Sequence, residues 1–367
     1  MMKEDIISVL RLQSIPNIGE ISARKLISHC GSAEEVFREK KSVLHHIDGI
    51  GTKVTHELLD HKYLLAAERE YRFIEDQNIQ THYFEETSFP KYLRHCPDAP
   101  LLLFSRGSIH LENQRIISIV GTRNMTTAGR SFCEHFMEEL RPFNPVIVSG
   151  FAYGVDICIQ NAAVEFGLQT IGCLAHGLNQ IYPRAHKRYC AEVEKNGGFF
   201  TEFWSTSKPE RVNFLKRNRI IAGISQATIV IESAHKGGSL VTADIANSYN
   251  RDVFAVPGRP GDIYSEGTNN LIKRQKAHLL TSAADLVYHL NWDIEEREKS
   301  VIQTKLFVDL NPVEQSIYNQ LQLGGRQLLD DIAMKSKIPV YNTASALLAM
   351  ELKGVVRPLP GNCFEAI

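Results

Sequence analysis

Four stretches of this chain gather anion-binding groups, three where an apolar run gives way to a helix-like run and one at the opening of a helix that leads into a buried strand. The first, IISIVGTRNMTTAGRSFCEHF, ends a buried run at Gly121, places Arg123 in the turn, and offers Thr126 and Thr127 as caps for the helix that follows. A helix start exposes free N–H groups and a positive dipole end, and an arginine beside it adds a planar two-pronged donor. Arg123 stands where a dinucleotide fingerprint would need its second glycine, which argues against a nicotinamide cofactor. The second, SGFAYGVD, has Gly150 and Gly154 for close backbone approach, and Asp156 reads as a helix cap before it reads as an acid.

The third stretch is NFLKRNRIIAGIS. Residues 205–220 hold five basic groups (Lys208, Arg211, Lys216, Arg217, Arg219) against the single acid Glu210, and Lys216, Arg217, Asn218 and Arg219 run consecutively. Phe214 is either a stacking surface for a nucleic-acid base or a core residue. The fourth, ESAHKGGSLVTADIA, opens a helix on Gly237, Gly238 and Ser239, a second phosphate-cradle geometry, with Lys236 beside it. Several anion-friendly loops on one sheet edge suggest a polyanion track rather than a single nucleotide.

Catalytic patterns are sparse. His176, Glu202 and Glu232 fall near the ends of apolar runs, where structural hydrogen bonding is the simpler role, and no zinc-protease, nucleophile-elbow or Walker A spacing occurs. No catalytic residue, metal or cofactor is expected. The seven cysteines (30, 96, 133, 158, 173, 190, 363) form no C-x-x-C and suit neither a disulfide framework nor a zinc knuckle, so a reducing cytoplasmic setting is expected. The first residues carry acids and no long apolar core, so no signal peptide is expected, and no run is long enough to span a bilayer.

The elements that must position these groups follow from pattern. Short apolar runs (116–121, 145–150, 169–175, 197–203, 227–233, 252–258, 278–282) alternate with stretches long enough for crossover helices. That alternation implies an α/β, doubly wound, parallel Rossmann-like sheet, whose ligands bind along the edge where strands end. Before it, IPNIGEISARKLI (15–27) and IDGIGTKVTHELL (47–59) repeat one pattern, an apolar-Gly pair followed by a helix, as in a helix-hairpin-helix pair. Such turns either hold a DNA phosphate or only pack a small helical domain; residues 1–80 carry 11 Lys+Arg against 13 Asp+Glu, with no basic stripe. After Leu290 a polar, charged segment reads as a linker. The final stretch reads as three helices and a hairpin, a winged-helix-like domain with Asn311 capping its first helix before Pro312. The expected domains are 1–78 (helical, helix-hairpin-helix or SAM-like), 79–292 (extended Rossmann-like), 293–304 (linker) and 305–367 (winged helix).

The ordered set IVGTR, SGFAYGVD, GLNQIYP, NFLKRNRIIAGIS, GGSLVTA, FAVPG and EGTNNLIKRQKAHLLTSAADL closely resembles the DNA-processing protein A family, also called DprA or Smf. The resemblance implies a non-enzymatic recombination mediator that binds single-stranded DNA with little sequence preference. It also implies loading of the RecA recombinase onto that strand, in recombination or in natural transformation of competent cells. It assigns phosphate contact to Arg123 and a shared pocket to Lys216, Arg217, Asn218, Arg219, Gly237, Gly238 and Ser239. It further implies a homodimer through roughly residues 255–290. Tyr153 stands where the family commonly has a basic residue.

Two rival functions make different demands. A lysine-decarboxylase-like nucleoside-monophosphate phosphoribohydrolase would need P-G-G-x-G-T and a nearby glutamate, where this chain has HKGGSLVTAD. A winged-helix regulator would need a polar recognition helix, where YNTASALLAMELKG is nearly uncharged. With 41 Lys+Arg against 42 Asp+Glu, the whole chain carries a formal charge of -1. Nucleic-acid binding is therefore expected to be confined to a pocket.

Overall fold

The computed structural model describes residues 2–292, except 59 and 113, and residues 310–366, except 360–362. The linker expected at 293–304 lies outside the described residues. Two compact units are present, Met1–Asp293 and Ile294–Ile367.

The first unit is built on nine strands: β1 (Gln80–Tyr83), β2 (Leu102–Gly107), β3 (Ile116–Val120), β4 (Val146–Ser149), β5 (Thr170–Cys173), β6 (Gly197–Thr201), β7 (Ala227–Val230), β8 (Asp252–Ala255) and β9 (His278–Leu279). Their order across the sheet is β1-β2-β6-β5-β4-β3-β7-β8-β9. From β6 to β9 every pair is parallel. The pattern of apolar runs anticipates these seven strands. β1 and β2 are additional and antiparallel, and they extend the β6 edge.

Helices cover both faces, so β3 through β7 are buried throughout, which is why they read as unbroken apolar runs. Helices Thr127–Leu140 and Val155–Glu165 pack Phe136, Leu140 and Ile159 against Ile117, Ile147 and Phe254. On the other face, helices Arg211–Ile224 and Gly238–Ser248 pack Ile220, Ala243 and Ala246 against Val120, Val148 and Ile171.

Strand order reverses beside β3. The chain leaves β3 for β4 on one side, while β7 pairs on its other side and continues to β8. The crevice at such a reversal, beyond the strand ends, is where open α/β sheets hold ligands. Here the turn after β3, carrying Arg123, faces the turn after β7, carrying Glu232 and Gly237.

Among the described residues, six helices of 4 to 16 residues precede β1. In both repeat copies the glycine is an N-cap, Gly19 before helix Glu20–Cys30 and Gly51 before helix Thr52–Glu57. Their core residues Leu10, Leu26 and Ala67 join Leu101, Leu102, Phe104 and Phe199 in one apolar cluster. The helical region is therefore seated on the sheet rather than held apart from it.

The second unit has helices Pro312–Gly324, Leu329–Ser336 and Val340–Leu352 and a small antiparallel sheet, β10 (Gln327–Leu328), β11 (Val356–Leu359) and β12 (Cys363–Ala366), ordered β10-β12-β11. Asn311 caps the first helix in a capping box: its Oδ1 accepts from Glu314 N at 2.9 Å, and Glu314 Oε2 accepts from Asn311 N at 2.8 Å. Among the described residues, no helix is long and apolar enough to cross a membrane.

Candidate nucleic-acid interface

The turn after β3 is held by its neighbours as well as by its own bond from Asn124 N to Thr122 Oγ1 at 3.1 Å. Thr122 N donates to the Glu232 carbonyl at 2.8 Å, and Thr126 N donates to Glu232 Oε2 at 2.9 Å. The Thr126 hydroxyl also bonds the Glu232 carboxylate and accepts from Gly129 N at 3.1 Å, capping helix Thr127–Leu140. Glu232 is thus a structural clamp on this turn. Gly154, at φ 78°, presses the next loop against it: a Cβ there would lie 2.2 Å from the Thr122 carbonyl oxygen.

That anchoring leaves Arg123 extended toward solvent. It forms no ion pair with any described carboxylate, and its guanidinium lies 5.3 Å from the centroid of the Phe214 ring. Arg217 approaches the same ring at 5.8 Å. Tyr182, from the loop after β5, meets Phe214 edge-on at 5.8 Å between centroids and is 40% exposed. Tyr153, from the loop after β4, is 47% exposed and packs edge-on against His186. The result is an aromatic surface with one exposed cation, Arg123, over it and a buried one, Arg217, behind it, suited to stacked bases and a flanking phosphate.

The four consecutive polar residues of helix Arg211–Ile224 divide by helical angle into different roles. Lys216 is exposed. Arg217 is buried: Nη1 donates to the Cys173 carbonyl at 2.7 Å, and its charge opposes the upward push that burial gives the Asp156 carboxyl. Gly150 makes room for this pair, since a Cβ there would fall 2.1 Å from Arg217 Nη1 and 2.5 Å from Asp156 Oδ2. Asp156 is not the helix cap; Gly154 is, and Asp156 accepts from Ala152 N at 3.3 Å. Asn218 reaches the Gly238 carbonyl at 3.5 Å, tying this helix to the start of helix Gly238–Ser248. Arg219 turns the other way and pairs with Glu202 and the Asp98 carbonyl.

At the glycine-rich turn, Ser239 is buried and its hydroxyl donates to Ser233 Oγ at 3.0 Å. Gly237 has no room for a side chain, whereas Gly238 is open, with nothing within 4 Å of a Cβ position. No side chain caps the helix that begins here. The structure thus joins Arg123, Phe214 and Arg217 through one ring, and Asn218 to Gly238 through one hydrogen bond. Arg219 it directs away from them.

The remaining titratable candidates carry structural bonds. His176 is buried, accepts from Tyr182 N at 3.2 Å through Nε2, and therefore donates from Nδ1 to the Gly177 carbonyl at 2.9 Å. Burial lowers its proton affinity, so the neutral ring is the favoured form. Burial likewise pushes the Glu202 carboxyl up to about 7, against the pull of Arg219.

A basic run missed by counting charge over 205–220 alone is RAHKR, residues 184–188, in which Arg184, Lys187 and Arg188 are exposed. With Tyr182, Gln180 and the Arg106–Glu194 pair, Arg184 and Lys187 line a cavity of about 800 Å³ that continues from the aromatic surface. Its sequence signal was the basic cluster directly after GLNQIYP.

Residues 80–291 match the family model described as DNA recombination-mediator protein A, and residues 308–362 match the DprA winged helix domain. The chain is 37% identical to the DNA processing protein DprA of Bacillus subtilis over 228 residues, 62% of this chain and 74% of that protein. It is 33% identical to protein Smf of Escherichia coli over 276 residues, 74% of each. Among solved structures it resembles DNA processing protein A of Streptococcus pneumoniae, with a TM-score of 0.67 and 27% identity over 78% of this chain and 98% of that one. It also resembles DNA processing protein A of Helicobacter pylori, described for its single-stranded DNA binding mode, with a TM-score of 0.52 and 28% identity over 58% of this chain and 95% of that one.

Proposed function

The chain belongs to the DNA recombination-mediator protein A family, DprA/Smf, and from that membership we propose that it binds single-stranded DNA along the strand-end edge of its sheet and loads RecA onto the bound strand. The observation that carries the reading is the placement of Arg123: exposed, unpaired, and stacked over the partly buried ring of Phe214. In a duplex the bases are already stacked and enclosed, so a surface of this kind favours single strands.

In this reading Arg123 and Lys216 contact phosphates, and the N–H groups at Gly238 and Ser239 receive another. Phe214, Tyr182 and Tyr153 stack bases. Arg217 and Asn218 act from behind, fixing the helix that presents Phe214 and Lys216, and Arg219 anchors the same helix. No bond is made or broken, and the role is binding rather than catalysis. A cytoplasmic site of action, in recombination and in uptake of transforming DNA, belongs to the same proposal.

A homodimer through residues 255–290 would place two such surfaces on one strand and gain avidity. Ile263, Leu279 and Tyr288 support it, being 70%, 48% and 80% exposed in that stretch, together with β9 at the open sheet edge. The test is RecA filament assembly on strand coated with single-strand binding protein. Faster nucleation with this protein present is expected; an unchanged rate would refute the loading role.

A further inference from the structure

The first hairpin of the N-terminal repeat does not offer its helix start to a phosphate. Glu20, the first residue of helix Glu20–Cys30, accepts from Leu101 N at 3.0 Å and lies 4.0 Å from Arg219. A phosphate at that helix start would meet a carboxylate. Next to it Arg24 donates to the Ala99 carbonyl at 3.1 Å and covers the Phe84 ring at 4.7 Å. From helix His61–Asp76, the buried Glu70 receives Ser205 N at 2.7 Å and Ser205 Oγ at 2.6 Å, in the loop that leads into helix Arg211–Ile224. The Glu20–Arg219 contact ends on the helix that carries Phe214 and Lys216, the Glu70 bonds end on the loop leading into it, and Ala99 and Leu101 follow Asp98, whose carbonyl receives Arg219.

We propose that the N-terminal helical region is a positioning clamp for helix Arg211–Ile224: Glu20, jointly with Glu202, holds Arg219, so that protonation of this carboxylate pair is coupled to strand binding on the helix's exposed side. The inference rests on the DNA-facing role assigned to that helix above. Glu20 and Glu70 are positioning residues in this account and touch no DNA.

The coupling follows from what surrounds Glu202. Its side chain is almost fully enclosed, and Oε1 has no hydrogen-bond partner among the described residues. Facing it are Arg219 and Lys216 from the helix, Glu20 from the N-terminal region with Arg24 alongside, and Asp98 from the segment before β2, which itself receives the Tyr249 hydroxyl. Burial and the like charges of Glu20 and Asp98 favour the neutral acid, while Arg219 and Lys216 favour the anion, leaving the balance near pH 7. A phosphate brought to Lys216 offsets an exposed cation that favours the Glu202 anion, and so increases the proton affinity of Glu202. Strand binding therefore takes up protons, and by reciprocity affinity falls as pH rises through 7.

The experiment uses the full chain and a labelled oligo-dT strand, with affinity measured by anisotropy from pH 6 to 8.5 at fixed ionic strength. The wild type is expected to weaken about 3- to 10-fold across that range, the span of a fractional to a full pKa unit of coupling. Glu202→Gln should flatten the profile. Glu20→Gln removes a like charge and should move its midpoint to lower pH. Arg123→Ala should lower affinity at every pH and keep the wild-type shape. A Glu202→Gln profile that still follows the wild type would overturn the coupling.

A second arm reads the clamp without DNA. In the double variant Glu20→Gln, Glu70→Gln, amide hydrogen exchange over 205–219 should quicken while the sheet strands stay protected. Unchanged exchange there would overturn the clamp. If the wild type bound no single strand at any pH, the functional reading would fail, and the exchange result would still decide the clamp.

Discussion

Arg123 and Phe214 meet face to cation at 5.3 Å, although one sits in the turn after β3 and the other on the helix after β6. Among the described residues no carboxylate lies within ion-pair distance of this guanidinium, although the buried Asp156 feels its charge, so the ring contact orients the arginine without neutralising it. An arginine held in place and left charged is prepared for an incoming phosphate.

Replacing Arg123 with alanine should therefore weaken single-strand binding and flatten its dependence on salt. One lost phosphate contact lowers the slope of log affinity against log salt by about 0.7 for single strands. Titrations at several salt concentrations measure it, and an unchanged slope would remove Arg123 from the interface.

Phe214→Ala should separate stacking from charge. Loss of one stacked base costs about 1–3 kcal/mol of binding, with the salt slope left near the wild-type value. Phe214→Tyr keeps a π-face and should recover most of the affinity. If alanine and tyrosine behaved alike, Phe214 would be a packing residue only.

Gly150→Ala should destabilise the fold rather than touch the ligand. The added methyl would lie 2.1 Å from Arg217 Nη1 and 2.5 Å from Asp156 Oδ2, and neither group can retreat from so enclosed a site. Overpacking of this kind costs about 1–3 kcal/mol. A thermal or urea melt matching the wild type would mean that the pair has slack the geometry does not suggest.

The C-terminal unit carries its own pH signature. Lys353 Nζ bonds the buried Glu314 at 2.6 Å and, with the Asn311 amide, holds that carboxyl below the ordinary glutamate range. A depressed folded value means stability that is present above about pH 4.5 and lost as pH falls through the folded value. Lys353→Met should reduce this acid sensitivity and, since the lysine is one-third exposed, cost only about 1 kcal/mol at neutral pH. Circular dichroism of an acid titration compares the two. Equal acid midpoints would show that the pair contributes nothing.

Much of this was legible in the sequence for physical reasons. Strands buried on both faces must be apolar throughout, so β3 to β7 announced themselves, and a turn of G-T-R between strand and helix can do little but present its arginine. β1 escaped notice because Gln80, Thr81 and His82 form an edge strand with little apolar content. The basic run from Lys216 to Arg219 could not be resolved into roles, because four consecutive helical residues point in four directions. Only packing reveals that Arg217 faces Cys173 and Arg219 faces Glu202. The repeat was equally ambiguous: the glycine turns specify two helix starts, and Glu20 decides what the first of them is for only once Leu101 is beside it.

The central claim is that the exposed aromatic and cationic edge selects single strands. Competition against a labelled single strand tests it most directly, using unlabelled single-stranded and duplex DNA of one sequence and one length. The account predicts displacement by the single strand at concentrations at least about tenfold below those needed for the duplex, a gap of about 1.4 kcal/mol, one stacked base or more. Equal displacement by the two would contradict it.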